Sequence, residues 1–147
     1  MIIGRTGGGM MKLCSACLMG VRCQYNGQGK PHKKVLELMT REVLIPVCPE
    51  QYGGLPIPRE PAERQGDRVV SRDGRDVTAQ FEKGAHETLR LARLYGITEA
   101  ILKQRSPSCG SGQIYDGSYS GRVVPGDGLA AALLKQNGVR IVSEEDL

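Results

Sequence analysis

Val43-Leu44-Ile45-Pro46-Val47-Cys48 is an unbroken apolar run that ends on a cysteine. A surface helix would interleave polar residues every third or fourth position, and a half-buried strand would alternate them. An uninterrupted run of this length reads instead as a strand covered on both faces, the condition of a parallel sheet. Upstream, residues 33–41 carry apolar side chains at 35, 36, 38 and 39 and read as a short helix. Before it, residues 12–18 read as a first strand, set apart by the turn-rich Tyr25-Asn26-Gly27-Gln28-Gly29-Lys30-Pro31. Downstream, Pro46 to Pro61 holds five of the eight prolines, which predicts a stiff, ordered loop. Asp73-Gly74 within residues 68–77 predicts a hairpin. Thr78 is expected to cap a helix whose Phe81, Ala85, Leu89 and Ala92 share one face and which stops at Gly96. Residues 97–103 read as the next strand and 105–128 as a Gly/Ser loop. Residues 129–137 read as an Ala/Leu helix capped by Asp127 and stopped by Gly138, and 139–142 as the last strand. Residues 1–10, with four glycines and no periodicity, are expected to be a disordered extension to an α/β domain over 11–147 with a mostly parallel sheet.

The composition narrows the function. At 147 residues, 39% hydrophobic and 24% charged, the chain has the size and balance of one globular domain. No apolar run approaches a membrane span and no secretory signal is visible. Aromatics make up only 4%, too few for the stacking platforms of single-stranded nucleic acid, so no stable nucleic-acid partner is expected. A formal charge of +4 suits an anionic or polar small ligand and a solvated surface equally well. Five cysteines, at 14, 17, 23, 48 and 109, are an odd count without a secretion signal. That points to a reducing, cytoplasmic compartment and to chemistry or metal at some of them. Cys17, Cys48 and Cys109 each fall at or just past the end of an expected strand, 31 and 61 residues apart. A βαβ unit takes roughly 30 residues, so these spacings return the chain to one edge of the sheet, where open α/β folds bind ligands.

Other motifs fail on inspection. Gly110-Ser111-Gly112 opens a dinucleotide fingerprint, but position 115 is Tyr. Gly29-Lys30 is followed by Pro31, not by the Ser or Thr of a phosphate loop. Cys14-Ser15-Ala16-Cys17 is a CxxC pair, yet on a strand its cysteines would face opposite ways. His32 and His86 read as surface residues, which leaves a hydrolytic triad without a base.

The remaining motifs stand in a specific order. Ser15-Ala16-Cys17-Leu18-Met19-Gly20 and Tyr25-Asn26-Gly27 come first. Pro46-Val47-Cys48-Pro49-Glu50, Gly53-Gly54-Leu55-Pro56 and Pro58-Arg59 follow. Gly84-Ala85, Lys103, Ser106-Pro107-Ser108-Cys109-Gly110 and the Ala/Leu helix complete the series. From about residue 11 to 147 the chain resembles the thiouracil desulfidase family, long catalogued as a domain of unknown function. The resemblance implies a single-domain, three-layer α/β/α Rossmann-like fold with a mostly parallel sheet and a small β-hairpin excursion. It also implies a [4Fe-4S] cluster held by Cys17, Cys48 and Cys109, with one iron left without a protein ligand. Cys14 and Cys23 fall where the family varies and read as packing or bystander thiols. Asn26 stands where the family carries Asp.

The implied reaction is hydrolytic, non-redox desulfuration of a small thiolated heterocycle such as thiouracil, with sulfide passing to the open iron. Glu50 resembles the family's catalytic carboxylate, a general acid/base. Ser106 resembles its partner, which positions substrate or relays a proton. Arg59 reads either as a ligand contact or as a salt bridge. Two alternatives share the same thiolates: a non-catalytic iron–sulfur sulfur carrier or sensor, and a three-thiolate zinc site with a bound water.

Overall fold

The computed structural model describes residues 11–147; the extension expected over 1–10 lies outside the described residues. The strands β1 (Met11–Ser15), β2 (Val43–Val47), β5 (Glu99–Leu102) and β8 (Arg140–Ser143) form one parallel sheet in the order β2-β1-β5-β8. Successive side chains of a strand point to opposite faces. Leu13 opposite Ala100 therefore looks one way, and Cys14 opposite Ile101 the other. On the first face Leu13, Ala100 and Leu102 pack with Leu89 and Ala92 of α3 (Thr78–Tyr95) and with Ala131 and Leu134 of α4 (Leu129–Gln136). On the second, Cys14, Leu44 and Ile101 pack with Val35 and Leu38 of α1 (Lys33–Leu38). The result is the three-layer α/β/α arrangement, in which the apolar run of β2 supplies Leu44 to one face and Val47 to the other while Val43 and Pro46 stay exposed at the sheet edge.

Several local expectations yield to tertiary contacts. The proline segment is not loop throughout: Pro46 lies in β2, and Pro49 opens a short helix, α2 (Pro49–Tyr52), at the first-turn position proline favours. Arg68–Ser71 (β4) turns back at Asp73-Gly74 as expected, with Val70 bridged to Asp76. Its full ladder, however, is made with Ala62–Gln65 (β3). The expected loop 105–128 contains a second hairpin, β6 (Gln113–Tyr115) with β7 (Val123–Pro125). Thr78 does not cap α3: it is the first helical residue, and its hydroxyl accepts the Val69 N–H at 2.8 Å. Asp127 does not cap α4 either, because its carboxylate is spent on the Gly112 N–H and the Lys135 ammonium, at 2.8 and 2.9 Å. Gly96 does end α3, in the left-handed conformation at φ 64°.

The connection after β1 leads to β2 on one side, whereas the connection after β5 leads to β8 on the other. Chains leaving adjacent strands in opposite directions open a crevice at their carboxyl ends, the usual ligand position in such sheets. Helix α2 roofs one side of this crevice and lies directly on α3. A Cβ on Gly84 would stand 1.9 Å from the Pro49 carbonyl oxygen, and one on Gly53 equally close to that of Gln80. Both obstacles are backbone and cannot swing aside. Gly84→Ala is expected to cost at least the roughly 1–3 kcal/mol of ordinary overpacking, read as a lowered denaturant midpoint. An unchanged midpoint would mean that the two helices part freely.

Candidate active site

A cavity of about 520 Å3 opens at the carboxyl ends of β1, β2 and β5 and is lined by Cys17, Cys48, Cys109, Glu50 and Ser106. All five expected site residues thus meet on one wall system, and the chain reaches it by three different local devices. After Ser15 the backbone leaves β1 and tightens into a single 3-10 turn, Ala16–Met19, closed by Gly20 at φ 98°. The turn presents Cys17 to the cavity, and the Lys30 N–H binds its carbonyl at 2.9 Å. Cys48 stands at the junction of β2 and α2. Cys109 comes from the loop after β5, where the Ser106 hydroxyl oxygen accepts the N–H groups of Ser108 and Cys109 at 3.1 and 3.0 Å.

Because of that 3-10 turn, the opposite-face reading of the CxxC pair fails. Cys14 and Cys17 share one apolar cluster. Cys14, fully buried, still does not line the cavity. Its thiol, pushed up to about 12 by burial, packs as a small hydrophobe. Of the histidines, His86 is exposed as expected, while His32 is half-buried with its Nδ1 shielded from solvent.

Glu50 is gripped at both oxygens. Arg59 Nε donates to Oε1 at 2.9 Å and the Ser108 hydroxyl donates to Oε2 at 3.1 Å. The Arg59 side chain is only 6% exposed, and its other nitrogens bind the carbonyls of Pro56 and Cys23. Arg59 is therefore a salt-bridge partner of Glu50 on the cavity wall. The Ser106 and Ser108 hydroxyls lie 3.0 Å apart. Since Ser106 already accepts two backbone N–H groups, its own proton is free to point at Ser108, whose proton goes on to Glu50. A directed chain, Ser106 to Ser108 to Glu50, results. Ser108 is the residue the motif reading passed over, although it sits between the two that were named.

The thiols divide by environment. Burial pushes the Cys17 thiol up, and Cys109 up to about 12. Cys48 is lowered to about 7, chiefly because the Cys23 thiol hydrogen-bonds it, and Cys23 is raised by the same contact. Cys17 feels the charge of Cys48, and Cys109 that of Cys17, so the three sulfurs share one electrostatic environment. Among the described residues, no three His, Cys, Asp or Glu side chains converge as ligands of a single ion. Three soft thiol donors ranged around one cavity instead fit a polynuclear iron–sulfur cluster, whose ligands stand further apart. Thiols bind such a cluster as thiolates, so loading it would release protons.

The two hairpins build the far wall. Glu63 of β3 accepts the N–H groups of Gly117 and Tyr119 at 3.0 Å each. The Tyr119 hydroxyl donates to the Val70 carbonyl, and Arg72 lies over the Tyr119 ring at 5.8 Å. Lys103 also lines the cavity, its ammonium 3.3 Å from the buried Glu144 carboxylate. No helix among the described residues is long and apolar enough to cross a membrane.

Residues 13–146 match the family model for 2-thiouracil desulfurase. The protein YbbK of Bacillus subtilis strain 168 is 42% identical over 147 residues, covering 93% of this chain and 97% of its own. The solved structure of the [4Fe-4S]-dependent thiouracil desulfidase TudS superposes with a TM-score of 0.87 at 44% identity, covering 94% of this chain and 93% of that one.

Proposed function

The chain belongs to the 2-thiouracil desulfurase family of enzymes, and on that premise we propose that it hydrolyses the exocyclic C=S bond of a thiolated pyrimidine such as 2-thiouracil, with a [4Fe-4S] cluster held by Cys17, Cys48 and Cys109. The observation that carries this reading is the convergence of three cysteine thiols and a hydrogen-bonded carboxylate chain on one cavity. When bound, such a cluster supplies an iron without a protein ligand, a Lewis acid with affinity for soft sulfur and the acceptor of the sulfide.

The reaction balances without electrons: thione and water become carbonyl and hydrogen sulfide. What the protein must supply is proton management. Glu50, held at both oxygens, is the general acid/base: as carboxylate it takes a proton from the attacking water, and once protonated it returns one to the ring or to the departing sulfur. Ser108 and Ser106 extend this exchange along the wall, so a proton can be handed between the water and the heterocycle without leaving the cavity. Arg59 holds the carboxylate at a fixed angle, which keeps Glu50 aimed at the substrate rather than at solvent.

The test is an anaerobic incubation of cluster-loaded protein with 2-thiouracil and other thiolated nucleobases. Uracil and sulfide are expected in equal amounts over many turnovers with no electron donor. A requirement for reductant would overturn the hydrolytic mechanism, and consumption of no thiolated base would favour the sulfur carrier or sensor.

A further inference from the structure

Cys23 is the one cavity thiol that the cluster reading leaves unused. It is 2% exposed, lines the cavity with Cys48 and belongs to the apolar cluster against which Cys48 packs. The Cys48 sulfur also lies 3.8 Å from the Cys23 carbonyl oxygen. The two residues are 25 apart in sequence, and one side chain bolts them together. Arg59 donates through Nη2 to the Cys23 carbonyl at 3.0 Å and through Nε to Glu50, two residues past Cys48, at 2.9 Å. Two cysteines held this close on a fixed frame meet the first requirement of a disulfide, whose geometry tolerates little backbone movement. Cys48 is also the most open of the five: the other four are buried and it is not. An oxidant arriving through the cavity reaches it first.

We propose that Cys23 and Cys48 form an oxidation site, in which a peroxide that strips iron from the chain closes a Cys23–Cys48 disulfide and so keeps Cys48 recoverable. This rests on Cys48 being a cluster ligand. Hydrogen peroxide converts the freed Cys48 thiol to a sulfenic acid as its O–O bond breaks and one water leaves. The Cys23 sulfur then attacks the Cys48 sulfur: the S–S bond forms, the S–O bond breaks, and the second water carries away the Cys23 proton. The two thiols lose two electrons and the peroxide gains them. Lacking Cys23, the sulfenic acid takes further oxygen to become a sulfinic acid, which thiol reductants do not reverse.

The full chain, loaded with iron and sulfide without oxygen, is treated with hydrogen peroxide, alkylated and digested for mass mapping. A peptide pair joining Cys23 to Cys48, two hydrogens lighter than the free pair, is expected, with most of the iron taken up again after dithiothreitol. In Cys23→Ser, Cys48 should carry two extra oxygens and iron reloading should be largely lost. A link from Cys48 to Cys17, Cys109 or a second chain would overturn the proposal. So would sulfinic Cys48 beside a free Cys23 in the parent, or full reloading of Cys23→Ser. The parent's map needs no variant, so it decides even if Cys23→Ser folds poorly. Iron content before peroxide is a separate readout: a parent without iron sinks the cluster reading, while the map still judges this one.

Discussion

Cys48→Ser, reconstituted with iron and sulfide in the absence of oxygen, is expected to hold little of the iron that the parent chain holds. Cys17→Ser and Cys109→Ser should behave alike, and Cys14→Ala should load fully. Thiolate is a soft donor and a good cluster ligand, whereas a serine hydroxyl is a hard one that stays protonated at neutral pH. Cys14 cannot stand in for a lost ligand, because it lies in the core beneath the cavity with its sulfur 3.5 Å from the Ser15 carbonyl. Cys23 sits beside Cys48 and is not expected to be required. The measurement is iron per chain after gel filtration. Full occupancy in Cys48→Ser would remove the three-cysteine cradle from consideration.

Glu50→Gln should keep its iron and lose turnover by roughly 10²–10⁴-fold, the range for a missing general acid/base. The amide oxygen can still accept from Arg59 Nε, and the Ser108 hydroxyl can rotate to accept from the amide nitrogen. Both hydrogen bonds at 2.9 and 3.1 Å thus find substitutes in an isosteric side chain. What disappears is the ability to take up and release a proton at pH 7. Anaerobic turnover of 2-thiouracil and iron content are read on the same sample. Loss of iron in this variant would make Glu50 a ligand or a support of the cradle instead, and unchanged turnover would move the proton chemistry elsewhere.

The meeting of the three cysteines on one cavity was legible because they are attached to the strands that the pattern reveals best. Val43–Val47 is an edge strand with Val43 and Pro46 exposed, but it sends Leu44 into one face of the core and Val47 into the other, so its apolar run announces a parallel strand, and the cysteine that follows is carried to the sheet edge. The same reasoning placed Cys109 correctly but was silent on the seven-residue path from Leu102 to it. There the side chain of Ser106 folds back on two backbone N–H groups and leaves Ser108, not Ser106, against Glu50. The hairpin strands Ala62–Gln65, Gln113–Tyr115 and Val123–Pro125 were missed because they are only three or four residues long and mostly exposed or half-buried, too short to show a period. Their pairing is maintained by each other and by Glu63 and Tyr119, which contribute no periodic signal.

The alternation of helix and strand is written in the residue pattern, and with it the sheet edge on which Cys17, Cys48 and Cys109 gather. That information is local: a strand covered on two faces must be apolar at every step, and a covered helix at every third or fourth. Which side chains meet across that edge depends on the folded arrangement of the loops. Thr78 and Asp127 carry the composition of helix caps but are claimed by Val69 and by Gly112 with Lys135. Cys23 reads as a bystander until the fold sets it beside Cys48, and Arg59 as either a ligand contact or a salt bridge until it reaches Glu50 and the Cys23 carbonyl. Each of these contacts joins segments whose separation depends on how the intervening loops close, and hydrogen-bonding side chains on such loops follow the partner they find rather than a period along the chain.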